Sequence, residues 1–219
     1  MLPLSGRRAE PYTPSMITIV DYGSGNLRSV QKAFEKCGAA AAITSDPDAV
    51  AAAERLVLPG VGAFGDAMNA LHGRGLVEPI RRYLMADKPF LGICMGLQLL
   101  FETGYEGGHH AGLAILPGEV VRFDLPTGFK VPHMGWNTTR WQGDWRPSGD
   151  DEHFYFVHSY YARPTDTTIV AAVTDYGGDF CAAVRRGNLY ATQFHPEKSQ
   201  EAGLRLLTSW LTATEIACS

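Results

Sequence analysis

The chain has 219 residues, of which 45% are hydrophobic and 19% charged, a balance that fits one water-soluble globular domain and excludes a disordered or fibrous polypeptide. Nineteen Lys and Arg against 23 Asp and Glu leave a formal charge of −4, with no basic run to track a phosphate backbone, so nucleic acid is not expected as a partner. Neither the opening residues nor the longest apolar segment, 89–101, has the length of a signal peptide core or a bilayer span, and no membrane association is expected.

Residues 1–15, with Arg7, Arg8 and three prolines, are expected to be a disordered extension, and 16–219 a single domain. The apolar run 16–20 predicts a first strand, ended by Asp21-Tyr22-Gly23. A turn at 23–26 leads to a helix reaching Gly38, with Leu27, Val30, Ala33, Phe34 and Cys37 on one face. Strands follow at 40–44 and 55–58, the second ended by Pro59-Gly60, then helix over 66–84 with a break around 72–75. A buried strand at 89–93 presents Cys94, and 95–103 holds good helix formers. This alternation predicts a parallel sheet with helices on both faces. Further on, 113–116, 119–124, 154–157, 168–174, 180–185 and 189–194 are strand-like and predict an antiparallel or mixed extension, closed by a helix over 199–212. The polar stretch 142–152, with Trp141 and Trp145, is expected to be a surface excursion.

The four cysteines, Cys37, Cys94, Cys181 and Cys218, form no Cys-x-x-Cys pair, so neither a metal site nor a disulfide framework is expected and a reducing, cytoplasmic setting is. The adjacent His109 and His110 lack the neighbours of a metal site. Gly92-Ile93-Cys94-Met95-Gly96, between a buried strand and a helix, has the pattern of a nucleophile elbow with Cys in place of Ser. Such a turn projects the sulfur and aims the helix N-terminus at it, which favours a thiolate. The five residues alone fit an inert buried cysteine equally well. A base is offered by His195-Pro196-Glu197 at the end of a β-like run, where extended geometry would put His195 and Glu197 on the same side. The carboxylate could then orient and support the imidazole. The tripeptide alone also fits a solvated turn; its weight comes from the elbow.

Together these segments resemble the class I (triad) glutamine amidotransferases, and more closely the glutaminase subunits of imidazole glycerol phosphate synthases. The resemblance runs from about Ile17 to Leu211 and includes 21–26, 59–64, 92–100, 130–137, 155–160 and 193–198. It implies a three-layer, flavodoxin-like α/β fold, a Cys94-His195-Glu197 triad that hydrolyses L-glutamine through a glutamyl thioester, and no cofactor. It further implies an oxyanion hole from the Met95 N–H and a second donor at Val61 or Gly62, in a segment that rotates a peptide. Glutamine would be bound by Gly60, Gln98, Glu106, His158, Ser159 and Tyr160. Asn26, Trp136 and Lys198 would face a TIM-barrel cyclase in a heterodimer that receives the ammonia and makes imidazole glycerol phosphate and AICAR in histidine biosynthesis. The isolated chain would then be nearly silent with glutamine until that partner engages.

Rival readings are a triad glutaminase serving a pyridoxal phosphate, anthranilate or purine synthase, and a stand-alone γ-glutamyl hydrolase or cysteine peptidase on the same elbow. A non-enzymatic scaffold would be expected to carry a broken triad.

Overall fold

The computed structural model describes residues 16–143, 145, 147 and 151–216; the expected N-terminal extension and Cys218 lie outside them. The first half alternates as predicted except for one added helix: β1 (Ile17–Val20), α1 (Leu27–Lys36), β2 (Ala41–Thr44), α2 (Pro47–Ala52), β3 (Arg55–Gly60), α3 (Phe64–Gly73), α4 (Val77–Met85) and β4 (Phe90–Cys94). Helix α2 was not predicted, being too short to show a period. It forms because the Asp46 carboxylate accepts from the Asp48 N–H at 3.0 Å and Pro47 presets the first turn. Strand β3 does not stop before Pro59-Gly60 but pairs through both, Gly60 opposite Cys94.

The second half departs further from expectation. The helix expected over 95–103 is a single turn, α5 (Met95–Gln98), and β5 (Phe101–Gly104) follows it. Leu97, Leu99, Leu100 and Phe101 are all fully buried, so the segment has no solvent face for a longer amphipathic helix, and pairing of β5 overrides helix propensity. Then come β6 (His110–Ala111), β7 (Leu116–Arg122), β8 (His133–Trp141), β9 (Glu152–His158), β10 (Tyr160–Pro164), β11 (Val170–Asp175), β12 (Asp179–Arg186), β13 (Leu189–Thr192) and α6 (Gln200–Ile216). The two strands expected around 113–124 are one, β7. Strands β8 and β10 were not predicted: Gly135 and Asn137 interrupt the alternation of β8, and β10 is set by pairing with β7.

The main sheet has nine strands in the order β2-β1-β3-β4-β13-β12-β11-β8-β9. From β2 to β13 the neighbours are parallel, and from β13 to β9 antiparallel, as the predicted extension requires. A second sheet, β10-β7-β5-β6, packs beside it. Each face of the main sheet buries its own cluster. Val57, Leu91 and Ile93 meet Phe34 of α1 and Leu206, Leu207 and Trp210 of α6; Leu56, Leu58 and Phe90 meet α3, α4 and the second sheet. Trp141 and Trp145 correct the expected surface excursion: both are buried, Trp141 against Phe154 and Trp145 against Tyr190 at a 4.8 Å centroid separation. Among the described residues no helix is long and apolar enough to cross a membrane.

This topology places the chemistry. β3, β4 and β13 are parallel neighbours, so their C-terminal ends open on one edge, the usual ligand edge of such sheets. Cys94 is the last residue of β4, and the segments after β3 and β13 carry Val61-Gly62 and His195.

Candidate active site

Cys94 ends β4 with φ 54° and ψ −103°, a conformation disfavoured for any residue with a Cβ and worth roughly 1–3 kcal/mol of strain. The surrounding glycines explain how the turn closes. A Cβ on Gly92 would lie 2.7 Å from the Gly96 carbonyl oxygen, and one on Gly96 would lie 1.8 Å from that of Leu58. The backbone is thus bent as a nucleophile elbow bends it. With only one helical turn behind the sulfur, the expected helix dipole reduces to the local N–H groups, Met95 first among them.

His195 and Glu197 meet, though not by the predicted route. β13 ends at Thr192; His195 is extended (φ −103°, ψ 94°), and Pro196–Lys198 form a 3-10 turn rather than a continued strand. The turn folds Glu197 back so that its Oε1 lies 2.9 Å from His195 Nδ1, with both side chains 2% exposed. Ser199 Oγ fixes this geometry by donating to the His195 carbonyl at 2.6 Å, and the His195 N–H donates to the Tyr155 carbonyl at 2.9 Å. Burial alone would lower the imidazole pKa, but the neighbouring Cys94 sulfur and the Glu197 carboxylate outweigh it and raise it to about 10. The other ring nitrogen, Nε2, is buried and makes no well-formed hydrogen bond, although Cys94 is close enough to dominate its charge environment. Catalytic hydrogen bonds are commonly this open before substrate arrives. Cys181 is the contrast: buried, its Sγ donating to the Ala183 carbonyl, with burial pushing its pKa up to about 12 and so disfavouring the thiolate.

A cavity of about 270 Å³ opens onto Cys94. Val61, Gly62, Met95, Gln98, Glu106, His158, Ser159 and Tyr160 line it, and Val157 joins them. Gly60 lies behind the wall, where its α-carbon is packed so closely that a Cβ would be 1.9 Å from the Tyr22 hydroxyl. Tyr22 is buried, and burial followed by the Cys94 charge raises its pKa. Gly62 has φ 99°, open only to glycine without strain, and Ser24 Oγ donates to the Val61 carbonyl at 2.6 Å. Glu106 accepts from the Phe64 N–H at 2.9 Å.

Gln193 was missed by sequence reasoning as a site residue. It is fully buried, its Nε2 donates to Cys94 Sγ at 3.6 Å, and its Oε1 accepts from Gln98 Nε2 at 3.1 Å. The register of β13 on β4, Thr192 opposite Ile93, brings it level with the sulfur, and no sequence signal carries that register. On the outer surface, Asn26 is exposed at the start of α1 and Trp136 is 46% exposed on β8. Tyr155 joins Trp136 to Lys198, edge-on to the indole at 6.2 Å and beneath the Lys198 Nζ at 5.7 Å.

Residues 18–212 match the family described as glutamine amidotransferase class-I, and the chain belongs to that family. Among its relatives is the imidazole glycerol phosphate synthase subunit HisH of Rhodopirellula baltica, 61% identical over 204 residues that span 90% of this chain and 98% of the relative. Proteins of the same name from Syntrophotalea carbinolica and Methanothermobacter thermautotrophicus are 56% and 53% identical, over 89% and 90% of this chain and 98% of each relative. A solved structure described as a glutamine amidotransferase superimposes with a TM-score of 0.72 at 19% identity, covering 90% of this chain and 98% of its own. PurLQS from Thermotoga maritima gives 0.70 at 18%, covering 94% and 100%. These two likenesses establish the fold.

Proposed function

We propose that the chain hydrolyses L-glutamine to glutamate and ammonia and hands the ammonia to the cyclase subunit of an imidazole glycerol phosphate synthase in histidine biosynthesis. The observation that carries this reading is a cysteine at a strained elbow, close enough to a buried His195-Glu197 pair to raise the imidazole pKa, at the mouth of one small cavity. Cys94 Sγ attacks the side-chain amide carbon. The resulting oxyanion faces the Met95 N–H and a second N–H at Val61 or Gly62, each donor worth roughly 2.7–4 kcal/mol. The His195 Nε2 proton passes to the departing nitrogen, which leaves as ammonia, and a thioester remains. His195 then takes a proton from water, the hydroxide cleaves the thioester, and glutamate and the thiolate are released. Gln98, Glu106 and the 158–160 backbone hold the amino acid.

The cavity, at or below the lower end of ligand-site volumes, favours a free amino acid over the peptides of a cysteine peptidase. The subunit name carried by the relatives supports the cyclase as partner, and Asn26, Trp136 and Lys198 are assigned to its docking face. The described cysteines are all free, which supports a cytoplasmic setting.

The test is reconstitution with the cyclase subunit, followed by glutaminase assays with and without its ribonucleotide substrate. Glutamine turnover should be low alone and rise with the loaded partner. Cys94→Ala should abolish glutamine-dependent synthesis and leave ammonium-dependent synthesis intact; loss of both would make Cys94 structural.

A further inference from the structure

Behind His158 in the cavity wall lies a second imidazole, His133, that the reaction above does not use. Both rings are buried, at 3% and 6% exposure, in an aromatic cage. His133 is stacked on Phe156 and Tyr176 with centroids 4.9 and 4.0 Å away, and Phe123 and Phe180 each close on His158 at 5.2 Å. Hydrogen bonds thread the pair. His158 Nδ1 is 2.8 Å from the Tyr160 carbonyl oxygen, His158 Nε2 is 3.1 Å from His133 Nδ1, and His133 Nε2 is 3.2 Å from Asn137 Nδ2. Asn137 Nδ2 also donates to the Asp175 carbonyl at 2.9 Å.

Only one arrangement of protons satisfies every link. A carbonyl accepts and never donates, so His158 Nδ1 carries a hydrogen. A neutral imidazole has one donor and one acceptor, so His158 Nε2 accepts and His133 Nδ1 must donate. His133 Nε2 then accepts from the Asn137 amide. Both rings are held neutral: burial lowers the pKa of His133 to about 4, and burial with the nearby His133 and His195 charges lowers that of His158 to about 3. Beyond His158 the chain runs on to the nucleophile. The Tyr160 carbonyl also accepts from Gln98 Nε2 at 2.9 Å, Gln98 donates to Gln193, and Gln193 donates to Cys94.

We propose that His133 is a positioning residue for the substrate cavity: its Nδ1–H fixes His158 as the Nδ1–H tautomer, and His158 thereby pins the Tyr160 carbonyl that orients Gln98 and Gln193 beside Cys94. This rests on the glutaminase reading of the cavity. It extends that reading to a residue outside the wall and to a defined protonation pattern, in which two neighbouring histidines both adopt the tautomer that free imidazole side chains disfavour.

Two measurements test it. Histidine-selective 15N NMR on the full chain near neutral pH should report His133 and His158 both as neutral Nδ1–H tautomers; an Nε2–H tautomer at either overturns the proposal. In the reconstituted complex, His133→Leu leaves the His158 Nε2 acceptor unsatisfied and should raise KM for glutamine roughly tenfold, with a smaller change in kcat. His133→Asn places an amide N–H where Nδ1–H stood and should recover most of that loss. A folded His133→Leu with the wild-type KM, or His133→Asn no better than His133→Leu, overturns it. Should His133→Leu fail to fold, the tautomer pattern and His133→Asn still decide. A wild-type complex that releases no ammonia from glutamine would instead sink the glutaminase reading, while the tautomer result would stand by itself.

Discussion

The Glu197 carboxylate reaches His195 Nδ1 across 2.9 Å from two residues away, and neither side chain is more than 2% exposed. The Cys94 sulfur first, and then a buried carboxylate in that position, stabilise the imidazolium over the neutral ring, so the His195 pKa is raised above 6.5 to about 10 rather than lowered by burial. The protonated ring is needed to expel ammonia, and the pKa of the free site, held up by the Cys94 sulfur, governs its supply, so kcat/KM is expected to fall as pH rises through it. Glu197→Gln removes one of the raising influences. It should lower kcat at least about 100-fold, by analogy with the loss on neutralising the acid of a serine triad, and move the alkaline limb of the kcat/KM profile to lower pH. An unmoved limb would mean that Glu197 does not act through the imidazole.

The tight packing around the elbow separates two kinds of glycine. A Cβ on Gly60 would meet the Tyr22 hydroxyl at 1.9 Å and the Met95 Cβ at 2.9 Å, whereas one on Gly96 would meet the Leu58 carbonyl oxygen at 1.8 Å. Gly60→Ala should cost about 1–3 kcal/mol and most of the glutamine turnover. Adding Tyr22→Phe removes the offending oxygen and should return part of the stability, a favourable coupling that urea denaturation of the singles and the double would read. Gly96→Ala clashes with backbone, and Tyr22→Phe should do nothing for it.

The elbow and His195-Pro196-Glu197 were legible because both are local: their chemistry is set by residues within a few positions of each other. The alternating first half was legible for the same reason, each strand and helix carrying its own period. What was not legible depended on partners distant in sequence. Phe101–Gly104 is a strand only because β7 and β6 are there to pair with it, and Trp141 and Trp145 are buried only because Phe154 and Tyr190 lie beneath them. Even the His195-Glu197 contact arises from a 3-10 turn and not from strand alternation, so the residues were legible and their geometry was not. Gln193 and His133 depend on register across the sheet.

His133 and His158 also make the fold sensitive to acid. Their folded pKa values of about 4 and about 3 lie below the 6.5 of an unperturbed histidine, so between these limits the unfolded chain takes up protons that the folded chain refuses. Stability therefore falls as pH drops below 6.5, by about 1.4 kcal/mol per pH unit for each histidine. Denaturation curves at about pH 7 and about pH 5 for the wild type and His133→Asn should differ in slope by roughly one histidine's share. Parallel slopes would show that His133 is freely protonated in the folded protein.

Trp136 and Lys198 share Tyr155 as a common base, which joins two of the three residues of the proposed docking face. Trp136 is nearly half exposed, so Trp136→Ala should change unfolding free energy by less than about 1 kcal/mol. Calorimetric titration with the cyclase subunit should show affinity reduced about tenfold or more, the behaviour of a buried aromatic anchor. Unchanged affinity would move the docking face elsewhere.

The Val61–Gly62 peptide is the part of the site best placed to switch. Its carbonyl is held by the Ser24 hydroxyl at 2.6 Å, and Gly62 at φ 99° leaves the following backbone free to turn. Rotating this peptide to present the Gly62 N–H to an oxyanion requires breaking the Ser24 bond, whose net worth is about 0.5–1.5 kcal/mol. Ser24→Ala removes that restraint and shifts the equilibrium by roughly twofold to tenfold toward the rotated form. Glutamine turnover by the chain without its partner should rise by that factor, and the additional stimulation by the partner should shrink correspondingly. A drop in partner-free turnover would reverse the assignment, making the Ser24 contact part of the competent arrangement.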